Sequence, residues 1–186
     1  MPVDNPDLFA DKFRVKSARL EGRDYSLPGF YFITICTHNK NKFFGKIING
    51  KIKLSKVGKI VETNMILLSN RFNNIVIDIF VIMPNHIHIV FKINKCSNEF
   101  LGRDAINRVS TNQINIIPNP MKQFSLGTVI RYFKAKVKFD TNRQKLFFTW
   151  QSRYYDRIIR TEKEYWAIKQ YIDNNPKNWQ KDVCYK

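Results

Sequence analysis

The sequence predicts an α+β fold, an antiparallel sheet with helices mainly on one face. Three observations carry that expectation. Apolar, β-branched runs and stretches of helical spacing follow one another as strand, hairpin, helix, strand, strand, helix, helix. Two of the strand-like runs are separated only by Met83-Pro84-Asn85, so they read as a tightly connected pair. The chain has 186 residues, 44% of them hydrophobic and 14% aromatic, which is enough for one core and too short for two.

Residues 1–28 are polar and irregular and carry the basic run Lys12, Arg14, Lys16, Arg19 and Arg23. They read as an arm suited to lie on phosphates, ahead of a single domain at 29–182. The run 30–36 is aromatic and β-branched and reads as a buried strand. Runs 44–48 and 51–54 flank Asn49-Gly50, a hairpin signal because a type I′ turn needs positive φ at both central residues. Ser55 reads as a helix cap, followed by Val57, Ile60, Val61, Met65 and Leu68 at helical spacing, with an end near Asn70. Runs 75–82 and 86–93 form the strand pair. Residues 94–120 show no period and carry Pro118 and Pro120, the mark of a long loop. The spacing predicts a basic helix over 125–139, with Arg131, Lys134, Lys136 and Lys138 largely outward. The stretch 146–160 reads as a short strand and turn. Thr161-Glu162-Lys163-Glu164 is a capping box, with Glu164 reaching back to Thr161, and Pro176 ends the helix it opens.

Charge points to a partner. Lys and Arg total 32 against 15 Asp and Glu, a net +17. A polyanion is the simplest partner, and nucleic acid fits best because the charge is spread along the chain. A merely basic, solvated surface is the bland alternative. Cys36, Cys96 and Cys184 make neither a disulfide framework nor a paired metal motif, which suits a reducing, cytoplasmic setting. The first residues lack the pattern of a signal peptide, and no run of about 18 apolar residues suggests a membrane span.

His86-Ile87-His88 is the first chemical constellation. Side chains alternate along a strand, so both imidazoles share one face, roughly 7 Å apart along the backbone. Pro84-Asn85 puts them near the sheet's end, where a ligand can reach. On spacing alone a chelating pair and two unrelated histidines are equally good readings. The second is on the last helix, where Ile168, Tyr171, Ile172 and Asn175 form one stripe. A tyrosine there is by itself more often core. The Asn175 amide is a hard oxygen donor suited to Mg²⁺ or Mn²⁺, although Pro176 disfavours helical geometry at Asn175. Arg153, Tyr154, Arg157 and Arg160 form a basic, aromatic stretch in which one of Tyr154 and Tyr155 packs and the other can stack on a base. His38 reads as a surface loop histidine and Cys36 as core. A zinc site from His86, His88 and Cys36 lacks a fourth ligand.

The segment 81–90, Val-Ile-Met-Pro-Asn-His-Ile-His-Ile-Val, resembles the histidine–hydrophobic–histidine motif of single-tyrosine transposases. The run from Trp150 to Arg160, then Tyr171-Ile172-Asp173-Asn174-Asn175-Pro176, resembles the second half of the same family. Residues 19–37 resemble its N-terminal part. The match spans roughly residues 14–182 and is nearest to the REP-associated tyrosine transposases, relatives of the IS200/IS605 transposases. The resemblance implies a ferredoxin-like core and a divalent metal, Mg²⁺ or Mn²⁺, on His86, His88 and Asn175. It implies Tyr171 as a nucleophile that joins the 5′ end of a cut strand. Many insertion-sequence members carry Gln where Asn175 stands, one methylene longer. It implies single-stranded or hairpin DNA as partner, with Arg14, Lys16, Arg19, Arg131, Lys134, Arg153, Tyr154, Arg157 and Arg160 as candidate contacts, and a monomer or homodimer as the working form. The rival readings are a non-catalytic single-strand or RNA binder and a nuclease that uses water.

Overall fold

Strand β1 (Gly29–Cys36) is followed by a hairpin of β2 (Gly45–Ile48) and β3 (Lys51–Leu54), then by helix α1 (Lys56–Arg71). Strands β4 (Ile75–Ile82) and β5 (His86–Ile93) come next, then α2 (Leu126–Arg143), β6 (Tyr155–Ile159) and α3 (Glu162–Asn174). The computed structural model describes residues 8–9, 12–13, 27–94, 125–182 and 184–185. Arg14, Lys16 and Arg19 of the expected arm lie outside the described residues, as does 95–120 of the expected loop.

The main sheet has the order β4-β5-β1-β6, every neighbour antiparallel. With α1 between β1 and β4 and α2 between β5 and β6, this is the ferredoxin-like β-α-β-β-α-β arrangement. The β2–β3 hairpin is an insertion and α3 an addition. Among the described residues no helix is long and apolar enough to cross a membrane.

Period-two alternation divides the sheet. Tyr31, Ile33 and Ile35 of β1 and Ile87, Ile89 and Phe91 of β5 join Val61, Met65, Phe133 and Val137 of α1 and α2 in the main core. Each such side chain, fully buried, contributes about 1.5–3 kcal/mol. The other face is smaller: Val90 and Ile159 meet Ile168 and Ile172 of α3. Two helices thus cover one face, as the patterning predicts, and the third covers the face that bears the histidines.

Local signals account for most boundaries. Asn49 and Gly50 have φ of 51° and 70°, as a type I′ turn requires. The Ser55 hydroxyl accepts from the Gly58 N–H at 3.0 Å and caps α1. The Thr161 hydroxyl caps α3 through the Glu164 N–H. The capping box closes differently from expectation, since the Glu164 carboxylate accepts from the Arg160 N–H at 2.9 Å, one residue before Thr161. Helix α2 also runs four residues past the expected Phe139. Its polar last turn is held by α1, where the Asn64 amide donates to Asp140 at 2.9 Å, and apolar spacing carries no trace of that contact.

Gly58 gives a testable consequence of this packing. Replacing a helical glycine by alanine ordinarily stabilises by up to about 1 kcal/mol. A Cβ at Gly58 would stand 2.1 Å from the Phe44 carbonyl oxygen. Gly58→Ala is therefore expected to destabilise by about 1–3 kcal/mol, read as a lowered urea midpoint. A raised midpoint would refute the close approach of α1 to the segment before β2.

Candidate active site

Strand register builds the site. Cys36 pairs with His86 and Thr34 with His88, so His86 and His88 point to the α3 side of β5. The expectation of an accessible pair needs correction: His86 is 0% and His88 4% exposed. Tyr171 of α3 and Asp182 reach over them and close that end of the sheet.

Asn85 sets the histidine chemistry. Its amide N–H groups donate to the carbonyls of Lys40 at 3.1 Å and Cys184 at 2.6 Å. Its Oδ1 must then face His86 Nδ1, 2.8 Å away, which donates. That leaves the lone pair of His86 Nε2 bare and aimed inward. His88 Nδ1 lies 2.8 Å from the Thr34 hydroxyl, and its Nε2 is 3.0 Å from His86 Nε2. Where Thr34 accepts from His88 Nδ1–H, both Nε2 lone pairs are bare and repel at that distance unless a cation lies between them; where Thr34 donates, His88 Nε2–H donates to His86 Nε2. Donors about 2.1 Å from one ion, set at an octahedral right angle, stand about 3 Å apart. The pair fits a divalent metal.

Tyr171 and Asn175 arrive together from α3. The Tyr171 hydroxyl is 3.1 Å from His88 Nε2 and donates to Asp182 Oδ2 at 3.0 Å. Asn175 closes the helix with φ −56° and ψ −44°. Pro176 does not push it out of the helical region, because its N–H still bonds the Ile172 carbonyl at 3.3 Å and its side chain is buried. The Asn175 amide nitrogen donates to Asp182 Oδ2 at 2.8 Å, while its Oδ1 is buried without a partner. A buried oxygen without a partner, on an amide that reaches the Asp182 carboxylate next to His86, is available as a hard ligand.

Asp182 and Cys184 escaped the sequence reading. Asp182 Oδ1 accepts from the Cys184 N–H at 2.6 Å and lies 3.9 Å from His86 Nε2. Cys36 is buried, as expected, and its thiol hydrogen-bonds to that of Cys184, both cysteines being free. Cys36 is pushed up as the donor and by burial, and Cys184 is drawn down as the acceptor. No spacing rule links residues 182 and 184 to a pair at 86 and 88; only the fold does.

Burial dominates the titrations. It lowers His86 to about 4, against the opposing pull of Asp182. It lowers His88 to about 3, with His86 adding to the shift. Burial and the Asp182 carboxylate raise the Tyr171 phenol above its usual range. Burial alone would raise Asp182, but hydrogen bonds from the Cys184 N–H and Asn175 hold it below the usual carboxylate range. In the unfolded chain both histidines titrate near 6.5. Between that pH and about 4 the unfolded chain binds more protons than the folded one, so stability falls as pH falls. In chelator-treated protein the expected loss is up to about 1.4 kcal/mol per pH unit for each histidine, measured by urea unfolding between pH 7 and 5. His88→Gln should halve the slope, and a flat profile in the parent protein would mean solvated imidazoles.

The expected DNA contacts are scattered. Arg157, Arg160 and Tyr171 line an open groove of about 990 Å³ between β6 and α3, with Phe32 as its apolar wall. Arg157 pairs there with Glu164 at 2.5 Å. Arg131 and Lys134 are on α2, across the sheet from Tyr171. The Lys134 ammonium is spent on the carbonyls of Gln151 and Ser152 at 2.5 and 3.3 Å. Of the two adjacent tyrosines, Tyr154 packs against the core and Tyr155 is the exposed one. Arg153 is exposed at the entry to β6, and His38 is exposed beyond β1, as expected.

No protein-family model matches the chain. An uncharacterized protein of Haemophilus influenzae is 37% identical over 178 residues, covering 91% of this chain and 92% of that protein. Among solved structures, a REP-associated tyrosine transposase bound to a REP hairpin matches with a TM-score of 0.54 and 17% identity. That match covers 87% of this chain and 74% of the other, and the likeness is one of fold.

Proposed function

We propose that this chain, which belongs to one family with the Haemophilus influenzae protein, cuts and rejoins single-stranded DNA through Tyr171 with the help of a divalent metal. The observation that carries the reading is the Tyr171 hydroxyl 3.1 Å from His88 Nε2, itself 3.0 Å from His86 Nε2. A core tyrosine has no need of that company, and a simple binder has no need of all three groups.

The Tyr171 oxygen attacks the phosphorus of a DNA phosphodiester. The bond to the 3′ oxygen breaks, and that oxygen takes a proton from water, leaving a 3′ hydroxyl and a 5′ phosphate joined to Tyr171. Asp182 holds the phenol proton at 3.0 Å and is placed to receive it. The covalent link conserves the bond energy, so another 3′ hydroxyl can reverse the step; hydrolysis would discard it. His86, His88 and the unpartnered Asn175 oxygen would hold Mg²⁺ or Mn²⁺, which supplies polarisation of the phosphoryl oxygen when bound. Phe32 and Arg157 flank the groove to Tyr171, offering a stacking face and a cation to an unpaired strand. The hairpin in the matched transposase complex makes single-stranded hairpins the substrates to try first.

The test uses the full chain, labelled hairpin DNA and Mn²⁺, resolved on a denaturing gel. The expected product is a protein–DNA adduct whose nucleotide maps, after proteolysis, to the peptide bearing Tyr171. Cleavage with no adduct would assign the nucleophile to water. Binding without cleavage across a hairpin series would leave a binding module.

A further inference from the structure

We propose that His86, Asp182 and Cys184 form a zinc-selective ligand set, which shares His86 with the set assigned to the catalytic ion and excludes that ion when filled. The imidazole nitrogen, carboxylate oxygen and thiol sulfur all lie within 4.8 Å of one another. They come from β5 and from a segment almost a hundred residues later. Nitrogen, oxygen and sulfur donors together are characteristic of zinc, and a thiolate disfavours Mg²⁺ and Mn²⁺.

On sequence alone, zinc on His86, His88 and Cys36 wants for a ligand. The fold supplies different ones and gives Cys36 another role, as a free thiol hydrogen-bonded to that of Cys184. The three ligands share one supporting frame. Asn85 Oδ1 holds the His86 Nδ1–H outward, and the Asn85 amide holds the Cys184 carbonyl. The Cys184 N–H in turn holds Asp182 Oδ1. Fixed outer partners of this kind orient metal ligands and commonly carry 10–100-fold in affinity. A fourth position is open to His88 Nε2, 3.0 Å from His86 Nε2, or to water. On binding, Cys184 releases its proton to solvent.

Filling this set occupies His86 Nε2, a ligand that the catalytic ion also needs, and engages the carboxylate that accepts from the Tyr171 hydroxyl and Asn175. Zinc is therefore an inhibitor that competes with the catalytic ion, a consequence that rests on the function proposed above. The zinc site itself does not.

Co²⁺ is the probe, added to metal-free full-length protein without DNA. A thiolate-to-cobalt absorption in the near ultraviolet should rise to saturation at a single equivalent and bleach on adding Zn²⁺. It should vanish in Cys184→Ser, persist in Cys36→Ser and Cys96→Ser, and need about tenfold more Co²⁺ in Asp182→Asn. Circular dichroism of each variant shows whether it is folded. No absorption in the parent protein, or absorption that survives Cys184→Ser, overturns the site, whatever the adduct assay gives. In that assay Zn²⁺ should suppress the adduct, with the amount for half-suppression rising in proportion to Mn²⁺. Suppression indifferent to Mn²⁺ overturns the competition.

Discussion

Tyr171→Phe is expected to abolish the protein–DNA adduct and lower strand cleavage by about 10³-fold or more, the scale set by losing a catalytic nucleophile. The substitution removes one oxygen and keeps the ring, which meets Phe32 edge-on at 6.2 Å and His88 at 5.1 Å. Hydrogen bonds to Asp182 and His88 are lost, but the side chain is 42% exposed, so water replaces them. Stability should change by about 1 kcal/mol or less, and hairpin affinity by less than about threefold, under 0.7 kcal/mol. Among the described residues, no other tyrosine hydroxyl is hydrogen-bonded to His86 or His88. Tyr165, six residues earlier on α3, donates its hydroxyl to Asp78 at 2.8 Å. An adduct of undiminished yield in Tyr171→Phe would remove Tyr171 from the chemistry. Loss of adduct together with loss of hairpin binding would mean the phenol binds DNA rather than attacks it.

The split between what the sequence discloses and what it hides follows the range of the interactions. Period-two alternation places His86 and His88 on one face with no knowledge of the rest of the chain. Asn49-Gly50 and Thr161 are equally local, since a turn or a cap is settled within four residues. The stripe of Ile168, Tyr171, Ile172 and Asn175 is a helical period, and all four lie on the inner side of α3. The burial of the histidines is different. It depends on α3 and Asp182 crossing the open face of β5, and the strand itself carries no sign of being covered. Asp182 has no signal at all, because a lone aspartate past a helix end is ordinarily a solvated one. Tyr154 and Tyr155 are adjacent, so strand parity alone decides which packs and which is free. Sequence could not fix that parity while the start of β6 was undefined.

Asn85→Ala is expected to have the largest effect on stability of any substitution at the site, and the reason lies in how few groups hold three segments together. The side chain is fully buried, and its hydrogen bonds reach the turn at Lys40, the segment at Cys184 and the ring of His86. Alanine leaves two partly buried carbonyls and one buried imidazole N–H without partners. At about 1–3 kcal/mol for each group left unsatisfied, and some admission of water, the expected loss is about 2–5 kcal/mol. It should also free His86 to place its proton on Nε2, the nitrogen that the proposed chemistry needs bare, and lower metal-dependent cleavage by about 10–100-fold. Asn85→Asp separates the two roles. A carboxylate still accepts from His86 Nδ1–H but cannot donate to either carbonyl. Nitrogen-15 chemical shifts should therefore report the Nδ1–H tautomer in Asn85→Asp and a mixture in Asn85→Ala, while urea unfolding shows both to be weakened. An Asn85→Ala protein within about 0.5 kcal/mol of the parent, with His86 still protonated on Nδ1, would mean that the ring is oriented by something other than Asn85. Because the same amide holds the Cys184 carbonyl, such a result would also mean that Asp182 is held beside Tyr171 by something other than that frame.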